Sequence, residues 1–172
     1  MKALGRPDRS EASDYYHVYI DQVGDGDIRS ILGTQAAEAL ALFESISEEK
    51  SLERYAPEKW SIRQVLSHIN DCERMFVFRA FWFARGFDSP LPSFDQNVAI
   101  AGAEADVRPC RSHADEFRVV RAATQAFFQD LPAEAWDRHG TASGNRFTVR
   151  ALAYITAGHV AHHATILRNR YL

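Results

Sequence analysis

Four long segments of the sequence repeat apolar residues at the spacing of an amphipathic helix, and this pattern is the strongest constraint on the fold. The segments run from about Asp27 to Ile46, over residues 61 to 86, from near Ser112 to just before Leu131–Pro132, and from residue 148 to about 170. No segment alternates apolar and polar residues with the period of two that a half-buried strand requires. We therefore predict an all-α fold in which residues 1–172 form one domain and residues 1–14 are a loose N-terminal extension.

Capping residues indicate where the four helices begin, and Asp27 is a possible N-cap of the first. Ser61 and Gln64 match the Ser-x-x-Gln capping box, in which each side chain binds a backbone N–H of the first helical turn. Ser112 and Asp115 resemble the same motif, and Thr148 is a suitable N-cap residue. We expect the second, third and fourth helices to start at these positions.

The connection between the second and third helices, residues Phe87 to Arg111, is unusually long. A long crossover allows two consecutive helices to run parallel instead of antiparallel. Its stretch LPSFDQN contains Asp95 and Gln96, which a lid over one end of the bundle would carry. A solvated linker with local turn structure explains the same residues equally well.

Composition and charge exclude several classes of protein. A chain of 172 residues, 46% of them hydrophobic, is long enough to bury one core. A net charge of −3 and a pI of about 6.2 give no electrostatic footprint for nucleic acid. No run of about 18 apolar residues is free of charges, so we expect no membrane span. Because the N-terminus lacks a secretory apolar region and the two cysteines form no CxxC motif, we expect a cytoplasmic protein.

A pair of histidines one turn apart, His159 and His163, lies on the apolar stripe of the fourth helix. His68 lies on the inward line of the second helix, one turn before Cys72. Imidazoles at positions i and i+4 point about 40° apart around a helix, so both can reach one metal ion. A third histidine from a facing helix completes a three-nitrogen site with open positions for water or substrate, as a reactive metal needs.

Spacing alone leaves other interpretations open. His159 can also pair with His162, although the apolar stripe favours His163. A histidine on an apolar face is usually a core residue hydrogen-bonded to a neighbour, so a cluster of histidines that satisfy only one another stays open. The zinc-protease pattern HExxH is excluded because position 160 is Val.

Three quoted stretches carry a resemblance to a known family. They are KWSIRQVLSHINDCERMFVFRAFWFARG with its early histidine, LPSFDQN in the crossover, and TVRALAYITAGHVAHHATILRNRYL with its late HxxxH. Together they make the chain similar to the DinB/YfiT-like family of four-helix metalloenzymes, from about Tyr15 to Tyr171.

The resemblance implies a four-helix bundle in up-down-down-up order. It also implies that a divalent ion, nickel or zinc, is held by a histidine triad that falls on His68, His159 and His163. Members of the family are often homodimers. A homodimer agrees with the nearly all-round apolar stretch from Phe76 to Phe83, which offers more apolar surface than one bundle covers.

The reaction is less constrained than the metal site. Three neutral imidazoles leave the ion its full charge, so a water or thiol that reaches it should lose a proton near neutral pH. Relatives resemble bacillithiol- or mycothiol-dependent S-transferases, maleylpyruvate isomerases or hydrolases. We therefore expect a metal-dependent hydrolase or a thiol S-transferase that acts on a small-molecule substrate, the latter with a low-molecular-weight thiol. The alternative is a non-catalytic bundle that binds metal or a small ligand during bacterial stress.

Nearby carboxylates and cations are candidates for further roles. Asp71 and Asp95 are candidate catalytic acids or bases, and Asp71, three residues after His68, is equally suited to orient an imidazole. We expect Glu73 to form a surface salt bridge. Arg150, Tyr154 and Arg168 are candidates for holding an anionic substrate, although charge pairing at the helix ends explains the arginines as well.

Overall fold

Four of the six α-helices in the computed structural model are long and coincide with the four periodic segments of the sequence. The structure describes residues 4–172. The helices are α1 (His17–Ile20), α2 (Ile28–Glu44), α3 (Ile62–Ala84), α4 (Gln96–Ala103), α5 (Cys110–Gln129) and α6 (Val149–Ile166), and the strands are β1 (His139–Ala142) and β2 (Asn145–Thr148). Short 3₁₀ turns cover Arg9–Glu11, Asp14–Tyr16, Lys50–Leu52, Ala105–Val107 and Ala133–Asp137, and a π-helical turn, Leu167–Tyr171, follows α6.

Helices α3 and α5 run parallel, as the long crossover between them allows. Near the start of both helices, the Asn70 side chain donates a hydrogen bond of 3.1 Å to the backbone carbonyl of His113. Near the end of both, the rings of Phe81 and Phe127 lie 6.4 Å apart. The crossover has therefore carried the chain back to the end of the bundle where α3 begins.

Two further pairs of neighbouring long helices, α2 with α5 and α3 with α6, are antiparallel. The late residue Phe43 of α2 packs on the early residue Phe117 of α5, with ring centroids 5.2 Å apart. The early residue Leu32 of α2 accepts a hydrogen bond of 3.3 Å from the later Arg121. The start of α3 likewise meets the end of α6. The order is therefore up-down-down-up, and the predicted fold class is confirmed.

Local capping explains most of the helix starts. The Ser61 hydroxyl accepts from the backbone N–H of Gln64 at 3.1 Å, and the Gln64 side chain accepts from the Ser61 N–H at 3.0 Å, which confirms the predicted capping box. The side chain of Asp27 caps α2 and that of Thr148 caps α6. These starts depend only on residues within one turn, so the sequence is sufficient to locate them.

The third helix starts near Ser112, as predicted, but the expected capping box of Ser112 and Asp115 does not form. Helix α5 begins at Cys110, directly after Pro109. The Ser112 hydroxyl donates to the carbonyl of Pro109 at 2.9 Å, and Asp115 pairs with Arg118 within the helix. The side chain of Glu48, in the loop that follows α2, accepts a hydrogen bond of 2.9 Å from the backbone N–H of Cys110. A cap supplied from elsewhere in the chain leaves no local signal.

A β-hairpin occupies the segment before α6, where the sequence pattern indicated no strand. Strands β1 and β2 pair antiparallel, with His139 opposite Thr148. The turn between them places Ser143 and Gly144 at positive φ, 52° and 72°, as a tight two-residue hairpin requires. Each strand has four residues, which is too short for a period of two to be recognised.

The crossover is tied to this hairpin and contains a helix of its own. The N–H of Leu91 donates to the carbonyl of Thr141 at 2.9 Å, and Leu91 accepts from the N–H of Ser143 at 3.1 Å. Asp95 then caps α4, because its side chain accepts the backbone N–H groups of residues 97 and 98. Part of the crossover is thus ordered secondary structure at the end of the bundle, rather than a solvated linker throughout.

The N-terminal segment contacts the bundle, although we expected residues 1–14 to be a loose extension. Residues 1–3 lie outside the described residues. Glu11 is buried, accepts from the Thr148 hydroxyl at 2.7 Å and forms an ion pair with Arg150 at 2.8 Å. These partners stand 137 and 139 residues further along the chain, a distance over which sequence patterns give no signal.

Helix α1 lies directly against α6 because Gly158 has no side chain. A Cβ atom at Gly158 would stand 2.1 Å from the backbone oxygen of Tyr19. The resulting close approach places Tyr19 beside α6, where its ring lies 5.4 Å from that of His159. Gly158 therefore positions one wall of the region around the histidines.

Replacing Gly158 by Ala is expected to lower the free energy of unfolding by about 1–3 kcal/mol, because the added methyl group overlaps the α1 backbone. Gly102→Ala is the matched control, since this helical glycine has nothing within 4 Å of a new Cβ and alanine favours helix by up to about 1 kcal/mol. Urea unfolding of both variants measures the difference. A Gly158→Ala variant as stable as the control would contradict the close packing of α1.

Part of the apolar stretch of α3 remains on the surface. Phe78 is 50% exposed and Phe81 is 37% exposed, whereas Phe76 and Phe83 are buried in the bundle. The homodimer expected from this stretch stays a prediction. Across residues 4–172, no helix combines the length and the apolar character needed to cross a membrane.

The expectation that Glu73 lies in a surface salt bridge is wrong. Its side chain and that of Arg121 are both 1% exposed, and the two carboxylate oxygens accept from Nε and Nη2 of Arg121 at 2.7 and 2.8 Å. Arg121 also donates to Gln35 Oε1 at 2.9 Å, and Gln35 donates to the carbonyl of Ala157 at 2.8 Å. This buried network, from Glu73 through Arg121 and Gln35 to Ala157, joins all four long helices.

Candidate metal centre

Three imidazole rings meet between α3 and α6, near the end of the bundle where α3 begins. His68 lies in the second turn of α3, and His159 and His163 stand one turn apart on α6. The ring centroid of His68 is 4.8 Å from those of both other rings, which are 4.5 Å apart. The structure thus brings the three residues of the histidine triad together.

The ring nitrogens of His68 and His159 are spaced as two ligands of one ion would be. Nε2 of His159 lies 3.0 Å from Nε2 of His68. Two nitrogens bound to one divalent ion at about 2.1 Å lie roughly 3.0–3.4 Å apart for bond angles between octahedral and tetrahedral. The same two atoms can share a single proton in a hydrogen bond, so the distance fits a metal without requiring one.

Burial keeps the three imidazoles neutral. It lowers the pKa of His68 to about 4 and that of His163 to about 3, and it lowers the pKa of His159 well below its ordinary value. Neighbouring imidazoles act in the same direction, since two protonated rings repel each other. Neutral imidazole is the form that binds a metal ion, so the donor set fits the divalent ion that the sequence implies.

Cys72 gives the cluster a second candidate donor set. Its Sγ lies 3.5 Å from Nδ1 of His68. Among the described residues, the donor atoms of His68, Cys72 and His159 all lie within 4.8 Å of one another. Burial raises the pKa of the thiol to about 12, so the group is protonated near neutral pH unless an ion takes the place of the proton. The two donor sets share His68 and His159 and differ in the third ligand, His163 or Cys72.

The remaining histidines have other surroundings. His162 is half-buried, and the Gln22 side chain donates to its Nδ1 at 3.2 Å. His17 and His113 are buried and donate to backbone carbonyls, while His139 is exposed in β1. None of these four rings is close enough to both His68 and His159 to share an ion with them.

Two cavities reach the histidine triad. The first has a volume of about 420 Å³ and is lined by His68 and His159 together with side chains of α1, the crossover and the hairpin turn. The second, of about 230 Å³, is lined by His163, Trp60 and Tyr171 among others, and it shares no lining residue with the first. A volume of several hundred Å³ is typical of a small-molecule site.

The two candidate catalytic carboxylates occupy different positions. Asp95 lines the larger cavity beside Gln96 while it caps α4. Asp71 lies outside the lining of that cavity and is 3.6 Å from Arg74 instead of beside an imidazole. Burial raises the pKa of Asp71, and the positive charge of Arg74 opposes that effect.

Several residues that line the larger cavity were not selected as site residues in the sequence analysis. Tyr16 and Tyr19 reach it because α1 packs on α6, a contact without a local pattern. Arg79 also lines it, and its position eleven residues after His68, on the same helix face, was a signal that the sequence contained. Two of the three expected anion-binding residues are used elsewhere, since Arg150 pairs with Glu11 and Asp137 and the Tyr154 hydroxyl donates to the carbonyls of Leu4 and Gly26. Arg168 is exposed and lines neither cavity.

Comparison with known proteins gives one family and two similar structures. The model of the DinB superfamily matches residues 31–167. YfiT from Bacillus subtilis, described as a probable metal-dependent hydrolase with an unusual four-helix bundle topology, superposes with a TM-score of 0.68 at 13% identity, over 92% of this chain and 87% of its own. A mycothiol-dependent maleylpyruvate isomerase gives the same TM-score and identity over 80% of this chain, but over only 58% of the isomerase. At such identity these likenesses show a shared fold. No curated protein gave a significant sequence match.

Proposed function

The chain belongs to the DinB superfamily, and from this premise we propose that it is a metal-dependent enzyme whose divalent ion, zinc or nickel, is held by His68, His159 and His163. Its reaction is the attack of an activated water or thiol on a small molecule, as in a hydrolase or a thiol S-transferase. The observation that carries the proposal is a cluster of three neutral imidazoles, two of which, His68 and His159, line a cavity of about 420 Å³.

The donor chemistry favours His163 over Cys72 as the third ligand. His163 lies one turn after His159 on α6. Its imidazole is already neutral, so it needs no proton loss to bind an ion. The Cys72 thiol must first lose a proton that burial holds firmly. We therefore propose that Cys72 lines the site beside His68 without binding the ion.

When bound, the ion supplies Lewis acidity and lowers the pKa of a water or thiol that reaches it. The residues of the chain supply the rest. Tyr19 and Phe76 pack against His159, with ring centroids 5.4 and 5.7 Å away, and they form part of the cavity wall beside it. The cavity holds the substrate between these aromatic side chains and the histidines.

We propose that Asp95 accepts the proton released by the nucleophile. It is the carboxylate that lines the cavity, and the crossover that carries it forms part of the cavity wall. Asp71, the other carboxylate selected from the sequence, stays a prediction, although its contact with Arg74 favours a structural role.

The function is tested by metal content and by turnover of two panels, esters and amides with water, and electrophiles with a low-molecular-weight thiol. We expect stoichiometric divalent metal and turnover in one panel. Asp95→Asn should lower kcat/KM by about 100-fold or more, because general base catalysis is lost while asparagine still caps α4. Asp71→Asn serves as the comparison and should change kcat/KM by much less.

Three outcomes would contradict this proposal. A metal-free protein would leave only a bundle whose histidines satisfy one another. Metal without turnover in either panel would favour the alternative, a non-catalytic metal- or ligand-binding bundle. Full activity of Asp95→Asn would remove this residue from the proton transfer.

A further inference from the structure

Three arginines are buried among the described residues, and one of them lacks a carboxylate partner. Arg63 is 8% exposed and pairs with Glu48 at 2.7 Å, and Arg121 is 1% exposed and pairs with Glu73 at 2.7 Å. Arg79 is 3% exposed, and no carboxylate of residues 4–172 lies within ion-pair distance of its guanidinium. A buried charge is costly unless an opposite charge compensates it. Arg79 therefore differs from the other two arginines because its buried positive charge has no negative partner among the described residues.

The partners that Arg79 does have are neutral. Its Nη2 donates to the backbone carbonyl of Pro92 at 3.1 Å and to Oγ of Ser143 at 2.8 Å. Tyr16 is a third hydrogen-bond partner, and burial raises the pKa of its phenol, so this group is uncharged at neutral pH. These contacts fix the guanidinium between the crossover and the hairpin turn, but they supply no negative charge.

Arg79 faces the same cavity as the histidines. His68, Cys72, Met75 and Arg79 all line it, at intervals of four, three and four residues along one face of α3. Eleven residues of helix separate His68 from Arg79, about 16 Å along the axis. Asp95, the carboxylate on the cavity wall, is engaged with the backbone N–H groups of residues 97 and 98.

Aromatic and apolar side chains separate the two polar ends of this cavity. Tyr16, Tyr19, Phe76 and Phe94 line it together with Met75. A ligand that fills the cavity would therefore bring an apolar or aromatic body between the histidines and the guanidinium. The planar guanidinium at the far end matches the geometry of a carboxylate.

We propose that Arg79 binds the carboxylate of the substrate, so that the substrate class is small carboxylic acids with an apolar or aromatic body and with the reacting group directed towards the histidines. The direction of the reacting group rests on the proposed function, whereas the carboxylate site does not. A carboxylate at Arg79 compensates the one buried guanidinium that the described residues leave without an opposite charge. It also fixes one end of the ligand three turns of helix away from His68.

The probes that test this are 3-phenylpropanoate and its neutral isostere 3-phenylpropanamide, titrated by calorimetry into the full-length protein as purified. The same titrations follow after treatment with a chelator, so that a bound metal ion cannot account for the binding of the carboxylate. We expect the carboxylate to bind at least about 10-fold more tightly than the amide in both preparations, as a charge-assisted hydrogen-bonded pair requires.

Three variants separate a binding role from a structural one. Arg79→Gln should abolish the preference for carboxylate over amide, whereas Arg79→Lys, which keeps the charge, should retain part of it. Ser143→Ala removes a structural contact of Arg79 without changing the charge, and it should retain the preference in full. A thermal melt of each variant monitors folding.

Equal affinity of the two probes for the wild-type protein would overturn the proposal without reference to any variant. An unchanged preference in Arg79→Gln would overturn it as well. Because the titrations after chelation need no metal, a protein that binds no ion can still show the carboxylate site. Conversely, a metal-loaded active enzyme can lack that site, so the two proposals fail by different results.

Discussion

Replacing His68, His159 or His163 by alanine is expected to weaken divalent-metal binding by at least about 100-fold, so that each purified variant retains little metal. Loss of a partner that only orients a ligand already costs 10- to 100-fold in affinity, and loss of a ligand costs more. The centroids of the three rings lie within 4.8 Å of one another, so each replacement removes one ring from a compact cluster. Elemental analysis and zinc titration of each variant measure the effect.

His162→Ala is the matched control for these variants. It changes the residue next to His163 on the same helix, and its half-buried ring hydrogen-bonds with Gln22 rather than with His68 or His159. We expect its metal content to equal that of the wild type. Equal loss from His162→Ala and His163→Ala would show that the wrong pair on α6 was chosen, and full metal in all three triad variants would exclude this site.

Replacing Glu73 by alanine is expected to lower the free energy of unfolding by about 3–5 kcal/mol. The change leaves the guanidinium of Arg121, 1% exposed, without its bidentate carboxylate, and an uncompensated buried charge carries a penalty of that size. The loss should also reach Gln35 and its contact with α6, because Arg121 donates to the Gln35 side chain. Urea or thermal unfolding measures the change.

Two comparisons make this prediction specific to a buried pair. Glu44→Ala removes one of the two partners of Arg118 on the surface, where the side chains of Glu44 and Arg118 are about half exposed, and should cost about 1 kcal/mol or less. The double replacement Glu73→Leu with Arg121→Met removes both charges and should cost less than Glu73→Ala alone. A Glu73→Ala variant as stable as Glu44→Ala would contradict the burial of this ion pair.

The parts of the fold that depend on nearby residues could be predicted from the sequence. The Ser61 and Gln64 capping box, the Asp27 and Thr148 caps and the apolar stripes of the four long helices all act within a few residues. The i, i+4 spacing of His159 and His163 placed both rings on the buried side of α6 for the same reason.

The parts that depend on distant residues could not be predicted in this way. The N–H of Cys110 at the start of α5 is capped by Glu48, 62 residues earlier, and Glu73 is neutralised by Arg121, 48 residues later. The sequence around Cys110 or Glu73 contains no pattern that identifies its distant partner. Sequence patterns near Glu73 showed only Arg74 and Arg79, and these suggested a surface salt bridge that does not form.

The same distinction between nearby and distant residues applies to the candidate site. The histidines on each helix were readable as inward-facing residues, because spacing along a helix decides which face they occupy. The surroundings of the histidine triad could not be predicted, because α1 lies beside His159 through its packing on α6 at Gly158, and the crossover is attached to the hairpin, contacts between residues far apart in the sequence. Local spacing therefore selects candidate ligands, whereas the walls around them require the tertiary structure.

X-ray absorption spectroscopy at the zinc edge of the zinc-loaded protein tests the central claim most directly, because it counts the ligand types around the ion. The account predicts a shell of nitrogen or oxygen at about 2.0–2.1 Å, with multiple scattering from three imidazole rings and no sulfur at about 2.3 Å. The spectrum of Cys72→Ser should be identical. A sulfur scatterer in the wild-type spectrum that disappears in Cys72→Ser would contradict the claim, because Cys72 and not His163 would then complete the site.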